Sequence, residues 1–122
     1  MGLTHVAVKV KNFRSDASFT KDFLVDTGAW RAMAPAFELK RIGIEPEGKK
    51  TYELANGELQ DFEYGFVQIS FMDEVTVGEI IFGPDQSEPI LGVFALESAG
   101  FIVDPPNHTI RKLSALPLKR VA

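Results

Sequence analysis

Asp26, Thr27 and Gly28 stand at the end of an apolar run, Phe23-Leu24-Val25, and Ala29 follows them. The run reads as a buried strand. Gly28 permits a backbone turn that a side chain would obstruct. Asp26 is therefore expected where a buried strand breaks into a tight loop, a place where a scaffold holds a carboxylate rigidly. Two readings are open on these residues alone: an ordinary Asp-Thr-Gly turn, or a carboxylate set up for acid–base chemistry. One carboxylate can activate a water. Two that share a proton supply base and acid together, because side by side they do not both ionise easily. The chain offers a single Asp-Thr-Gly, and Asp104 precedes Pro105 and reads as a turn residue.

The elements that must position Asp26 follow from patterning. Thr4 to Lys11 alternates, with Val6, Val8 and Val10 on one face, and reads as a half-buried strand. Phe19 to Val25 is the next strand. Pro35 to Arg41 reads as a short helical turn, with Pro35 near its first position and Gly43 just past its end; Phe37 and Ile42 are expected to reach the core from it. Thr51 to Gln60 reads as a hairpin turning at Asn56-Gly57, a pair in which both residues tolerate positive φ. Glu63 to Met72 and Glu74 to Phe82 are further strands, with Tyr64, Phe66, Phe71, Val75, Val77, Ile80 and Ile81 expected in the core. Ile90-Leu91 is a short apolar strand meeting Gly92. Val93 to Ala99 reads as a helix of two turns, offering Phe94, Ala95 and Leu96 for packing and leaving Glu97 and Ser98 exposed. Gly100 stops it. Phe101 to Val103 is a strand, Asp104 to Asn107 a turn, and Thr109 to Leu113 a last strand. Many short strands with two short helical patterns predict an all-β chain with a closed or partly closed sheet.

Composition bounds the rest. The 122 residues suit one domain, 1–122, and 45% hydrophobic against 25% charged residues is an ordinary globular balance. The absence of cysteine excludes a disulfide framework, a thiol nucleophile and a zinc–thiolate site. A formal net charge of −4 argues against a nucleic-acid face, although Arg111, Lys112, Lys119 and Arg120 make the last stretch locally basic. No apolar run is long enough to span a membrane, and the N-terminus enters a strand pattern with no signal peptide, so a cytoplasmic protein is expected. Asn107-His108-Thr109 matches a glycosylation sequon, which carries no weight without a secretion signal.

Two stretches together, Asp26-Thr27-Gly28-Ala29 and the run from Ile90-Leu91-Gly92 through the helix, Leu96-Glu97-Ser98, Gly100 and Asp104-Pro105, give the chain a likeness that covers Thr4 to Leu113. It resembles the retropepsin-like aspartic proteases, closest to their small cellular single-domain members. The resemblance implies a β-barrel with a flap hairpin and one short C-terminal helix, and an aspartic endopeptidase working as a homodimer on a peptide or protein substrate. Asp26 would be the catalytic carboxylate of each protomer, and Thr27 would hydrogen-bond across the two-fold axis. Gly28 would allow close backbone approach of the substrate, and Ala29 would line the pocket beside the scissile bond. Asn56 and Gly57 would form the flap tip, whereas a plain structural hairpin is the alternative for that segment. Ile90, Leu91 and Gly92 would pack beneath or beside the loop, and Ile90 and Leu91 would line side-chain pockets. No metal or organic cofactor is implied. Trp30, Arg31 and Ala32 depart from the family pattern, which has smaller or polar residues and then a hydroxyl. Val93 and Phe94 replace the charged pair of the viral members. The alternative is a catalytically weak retropepsin-fold binding or assembly module, for which the altered cleft wall, with Trp30 at its start, is the motive.

Overall fold

The computed structural model describes residues 4–104, 109–116 and 118. Strand β1 (Thr4–Lys11) pairs antiparallel with β2 (Ser18–Val25), from Thr4↔Val25 to Lys11↔Ser18. The alternation read from the sequence is realised: Val8 and Val10 are buried while His5, Ala7 and Lys9 face outward. Asn12 closes the connection to the next layer, its side-chain amide donating to the Ile42 carbonyl at 2.9 Å. Then come β3 (Ala32–Pro35), α1 (Ala36–Arg41), β4 (Gly48–Glu53), β5 (Leu59–Phe71), β6 (Glu74–Gly83), β7 (Ile90–Leu91), α2 (Val93–Ser98), β8 (Phe101–Asp104) and β9 (Thr109–Lys112). Over the described residues the chain is all-β with two short helices. Seven strands pair in the order β1-β2-β7-β3-β6-β5-β4, and β1 also pairs with β5 through Lys9↔Ser70 to Lys11↔Gln68. β8 and β9 form a separate two-stranded ladder.

β3 is a strand that the sequence reading leaves out. Its four residues pair parallel with β6, from Ala32↔Ile80 to Pro35↔Gly83, and meet β7 at Met33↔Ile90. Ala32-Met33-Ala34-Pro35 carries helix formers and no β-branched residue, so tertiary pairing overrides local propensity here. The core takes Phe23, Val67, Ile69, Ile80, Leu91 and Phe101, all 1% exposed or less. Burial of one such side chain stabilises the fold by about 1.5–3 kcal/mol. Ile42 is buried as expected, but Phe37 is 47% exposed. Phe66, Val75 and Val77 also lie outside the core, at 46%, 59% and 55% exposure. They occupy the outward positions of β5 and β6, where alternation assigns Val67, Ile69 and Thr76 to the interior.

The two turns of the meander use their residues in an unexpected way. The hairpin between β4 and β5 does not turn on Asn56-Gly57 as a two-residue loop. The Gly57 N–H donates to the Leu54 carbonyl and the Leu54 N–H to the Glu58 carbonyl, and only Gly57 of the loop has a positive φ, +87°. This is a three-residue loop with a glycine bulge. The two-residue turn is Met72-Asp73, between the paired residues Phe71 and Glu74, with φ of 50° and 66°. Neither residue suits the left-handed region as glycine does. Asp73→Gly is therefore expected to stabilise the chain by about 0.5 kcal/mol, as relief of the left-handed conformation exceeds the unfolded-state cost of glycine. A shift of the urea midpoint at constant slope would measure it.

α1 is anchored by a buried acid. The Glu38 side chain is 7% exposed and pairs with Lys21 of β2 at 2.8 Å and with Arg41 one turn along. The Lys21 and Arg41 hydrogen bonds hold its carboxyl below the usual range, against the opposing effect of burial. Glu38→Ala should cost about 2 kcal/mol, since a buried acceptor for two cations is lost and both become unpaired. Because the folded pKa is lowered, that stabilisation is present above the ordinary carboxylate pKa and disappears as pH falls through the lowered one. Denaturant melts of wild type and variant should converge in acid.

Candidate active site

β2 delivers Asp26 to a loop that is fastened from two sides. β2 and β7 run parallel, with Leu24↔Ile90 and Val25↔Leu91 in register. The Leu24 N–H donates to the Pro89 carbonyl at 2.9 Å and the Asp26 N–H to the Leu91 carbonyl at 3.2 Å. The chain then turns: the Ala29 N–H donates to the Asp26 carbonyl at 3.1 Å, and the Gly28 N–H donates to Asp26 Oδ1 at 2.9 Å. An aspartate that accepts from the backbone two residues on is held by its own turn. A Cβ at Gly28 would stand 3.3 Å from Asp26 Oδ1, so glycine keeps that approach open.

The far side of the loop caps α2. A helix leaves its first N–H groups without intrahelical partners. Here the Val93 N–H donates to the Ala29 carbonyl at 2.9 Å and the Phe94 N–H to the Trp30 carbonyl at 3.0 Å. Gly92, the residue before the helix, sits against Arg31: a Cβ there would lie 2.6 Å from the Arg31 carbonyl oxygen and 2.7 Å from its nitrogen. The backbone of Gly92 is extended, so space and not φ demands glycine. Thus Asp26-Thr27-Gly28-Ala29 and Ile90-Leu91-Gly92, far apart in the chain, form one hydrogen-bonded unit.

Asp26 is half-buried, and Thr27 and Gly28 are exposed. Ala29 is half-buried, and Trp30 is 63% exposed, its ring 5.5 Å from that of Phe94. Ile90 keeps a partly open flank, whereas Leu91 is wholly in the core. Asn56 and Gly57 are exposed at the hairpin tip, where Asn56 Oδ1 accepts from the Glu58 N–H at 3.0 Å. Phe94 is 49% exposed; Ala95 and Leu96 hold α2 to the core instead.

A second cluster was not legible as a site. Glu79 of β6 accepts from the Tyr52 hydroxyl at 2.8 Å and pairs with Arg31 at 3.3 Å and Lys50 at 3.3 Å. Burial pushes the Glu79 carboxyl up, but the Tyr52 and Lys50 hydrogen bonds, with the charges of Lys50 and Arg31, outweigh it and leave the group below its usual range. Burial, then the Glu79 carboxylate, raises the Tyr52 phenol above its ordinary value. The one signal available in the sequence was an acid inside an apolar strand, Gly78-Glu79-Ile80-Ile81.

No protein-family model matches the chain, and no curated protein matches it. Among the described residues no group of three His, Asp or Glu side chains is arranged to hold a metal ion, and no helix is long and apolar enough to cross a membrane.

Proposed function

We propose that this chain is one protomer of an aspartic endopeptidase, hydrolysing peptide bonds with water activated between two Asp26 carboxylates, one from each copy of a homodimer. The observation that carries the reading is the unit just described: a carboxylate at the end of a buried strand, held by its own turn, with the turn sealed by Leu91 and the start of α2. A strand order that returns from β5 to β1 supports a closed retropepsin-like barrel, with the β4–β5 hairpin as the flap. Asp26 supplies the ionisable group. Thr27, exposed beside it, bonds across the axis, and Gly28 and Ala29 face the peptide backbone. Ile90 lines a side-chain pocket, with Leu91 supporting it from the core, and Asn56 and Gly57 lie at the flap tip.

Two carboxylates at one site share a proton, so one acts as base toward water and the other as acid toward the leaving amine. A single chain holds one Asp-Thr-Gly, so the second comes from an isologous copy. The exposed Trp30–Phe94 pair favours a second reading, a binding or assembly module of the same fold that cuts weakly. Peptide-library cleavage over pH ~3.5 to 7, an interval that starts near the ordinary carboxylate value, separates the two. Cleavage by wild type and not by Asp26→Asn supports the enzyme. A dimer that cleaves nothing supports the module.

A further inference from the structure

The rings and charges around Arg31 form a continuous chain of contacts. The Trp30 and Phe94 rings meet at a tilt of 43°, the Arg31 guanidinium sits 5.6 Å from the centre of the Phe94 ring and 5.8 Å from that of Tyr52, and Tyr52 in turn lies 6.1 Å from Phe62. The chain of contacts runs from the loop after Asp26 to the two arms of the hairpin. Cation–π contacts of this kind need the guanidinium held in place. Glu79 holds it, and the same carboxylate accepts from the Tyr52 hydroxyl.

The hairpin reaches Glu79 by an unusual route. Tyr52 pairs with Gln60 of β5, and Glu79 pairs with Phe66, six residues farther along the same strand. Six residues of straight strand span about 20 Å, more than the two side chains and a hydrogen bond cover. The contact therefore requires β5 to bend and fold the hairpin back over β6. Gly65, buried at that point, is packed against Ile44, Phe82 and the Glu45 carbonyl. A hairpin folded back in this way needs something to hold it, and Glu79 touches both β4 and the loop.

We propose that Glu79 is a positioning residue that fastens the β4–β5 hairpin to the loop carrying Asp26 and sets the Trp30–Phe94 platform for an aromatic or large apolar substrate side chain. The substrate half of this inference rests on the peptidase reading; the mechanical half does not. Trp30 is the one tryptophan of the chain, so its fluorescence reports on the platform whether or not the protein cuts peptides.

The test uses the full chain with Glu79→Ala, Glu79→Gln and Tyr52→Phe. Glu79→Ala is expected to raise acrylamide quenching of the already half-open Trp30 by up to about half and to speed exchange of the β4 amides about tenfold, as a locally opened segment does. It is expected to raise KM for an aromatic peptide about tenfold with kcat within about threefold, the pattern of lost substrate holding. Glu79→Gln keeps an acceptor for Tyr52 and should fall between. Tyr52→Phe removes one of the two hairpin links to Glu79 and leaves Lys50, so exchange should quicken less than in Glu79→Ala while Trp30 quenching stays at the wild-type value. Unchanged exchange and quenching in folded Glu79→Ala overturn the coupling, and if that variant does not fold, unchanged values in Glu79→Gln do so. Altered exchange with unchanged KM overturns the substrate half. Absence of cleavage by wild type overturns the peptidase reading, and the platform's role with it, while quenching and exchange still decide the coupling.

Discussion

Asp26→Asn is expected to lower peptide cleavage by at least about 10³-fold, within the range that a positioned acid–base group contributes. The amide matches the carboxylate in shape, and its oxygen can still accept from the Gly28 N–H, the bond that closes the turn. Stability should therefore change by less than about 1 kcal/mol, as for a substitution that opens no cavity and orphans no buried group. What is lost is ionisation. The shared-dyad reading makes a sharper demand in mixtures. When an equal amount of Asp26→Asn protein is exchanged into wild type, only about a quarter of the dimers carry two carboxylates, so total activity should fall to about half. A monomeric enzyme would lose nothing. The pH profile should be bell-shaped on the acidic side of neutral, since the reaction needs one base and one acid from the pair. The fold is suited to that range: Glu38 and Glu79 both have lowered carboxyl pKa values, so their ion pairs stay charged below the ordinary carboxylate range and fail only as pH falls through those lower values.

The parts of this molecule that were legible in the sequence are those in which local pattern and tertiary structure agree. β1 and β2 follow from alternation and an apolar run, and both helices end at glycines, Gly43 and Gly100, with φ of +83° and +92°. The loop at Asp26 and the Ile90-Leu91-Gly92 segment were each visible. Their contact follows from the family resemblance and not from the residues themselves, because it is made by backbone groups, which carry no sequence label: carbonyls of Ala29 and Trp30 on the N–H groups of Val93 and Phe94.

What was missed fails for identifiable reasons. β3 is held by parallel pairing to β6, a long-range contact that leaves no periodic trace in four residues. The Asn-Gly signal was real but was spent on a bulged loop, while the tight turn fell to Met72-Asp73, whose side chains argue against it. Placing Phe66, Val75 and Val77 in the core picks the outward face of β5 and β6; the alternate positions Val67, Ile69 and Thr76 are the buried ones. The Glu79 cluster draws on β4, β6 and the loop after β2, and only a bent β5 brings them together.

Gly92→Ala is expected to have the second largest effect, and through a different cause. The new methyl carbon would stand 2.6 Å from the Arg31 carbonyl oxygen, 2.7 Å from its nitrogen and 2.8 Å from its carbonyl carbon. These are backbone atoms of the loop that caps α2, so no side-chain rotation relieves the clash. Either β7 and α2 move away, breaking the Val93–Ala29 and Phe94–Trp30 hydrogen bonds, or the loop moves and takes Asp26 with it. Overpacking of this kind costs about 1–3 kcal/mol, and each lost cap adds about 1 kcal/mol. A displacement of about 1 Å at a catalytic group costs about 10²-fold in rate. The variant should therefore unfold at lower denaturant and, in its folded fraction, cleave far more slowly than wild type. For stability, a matched Gly57→Ala control separates this from loss of a flexible residue: its Cβ meets nothing within 4 Å, and its structural cost comes only from a φ of +87°. If Gly92→Ala proved as stable and as active as wild type, the close packing of the Asp26 loop on the start of α2 would not be what positions the carboxylate, and the peptidase reading would lose its main support.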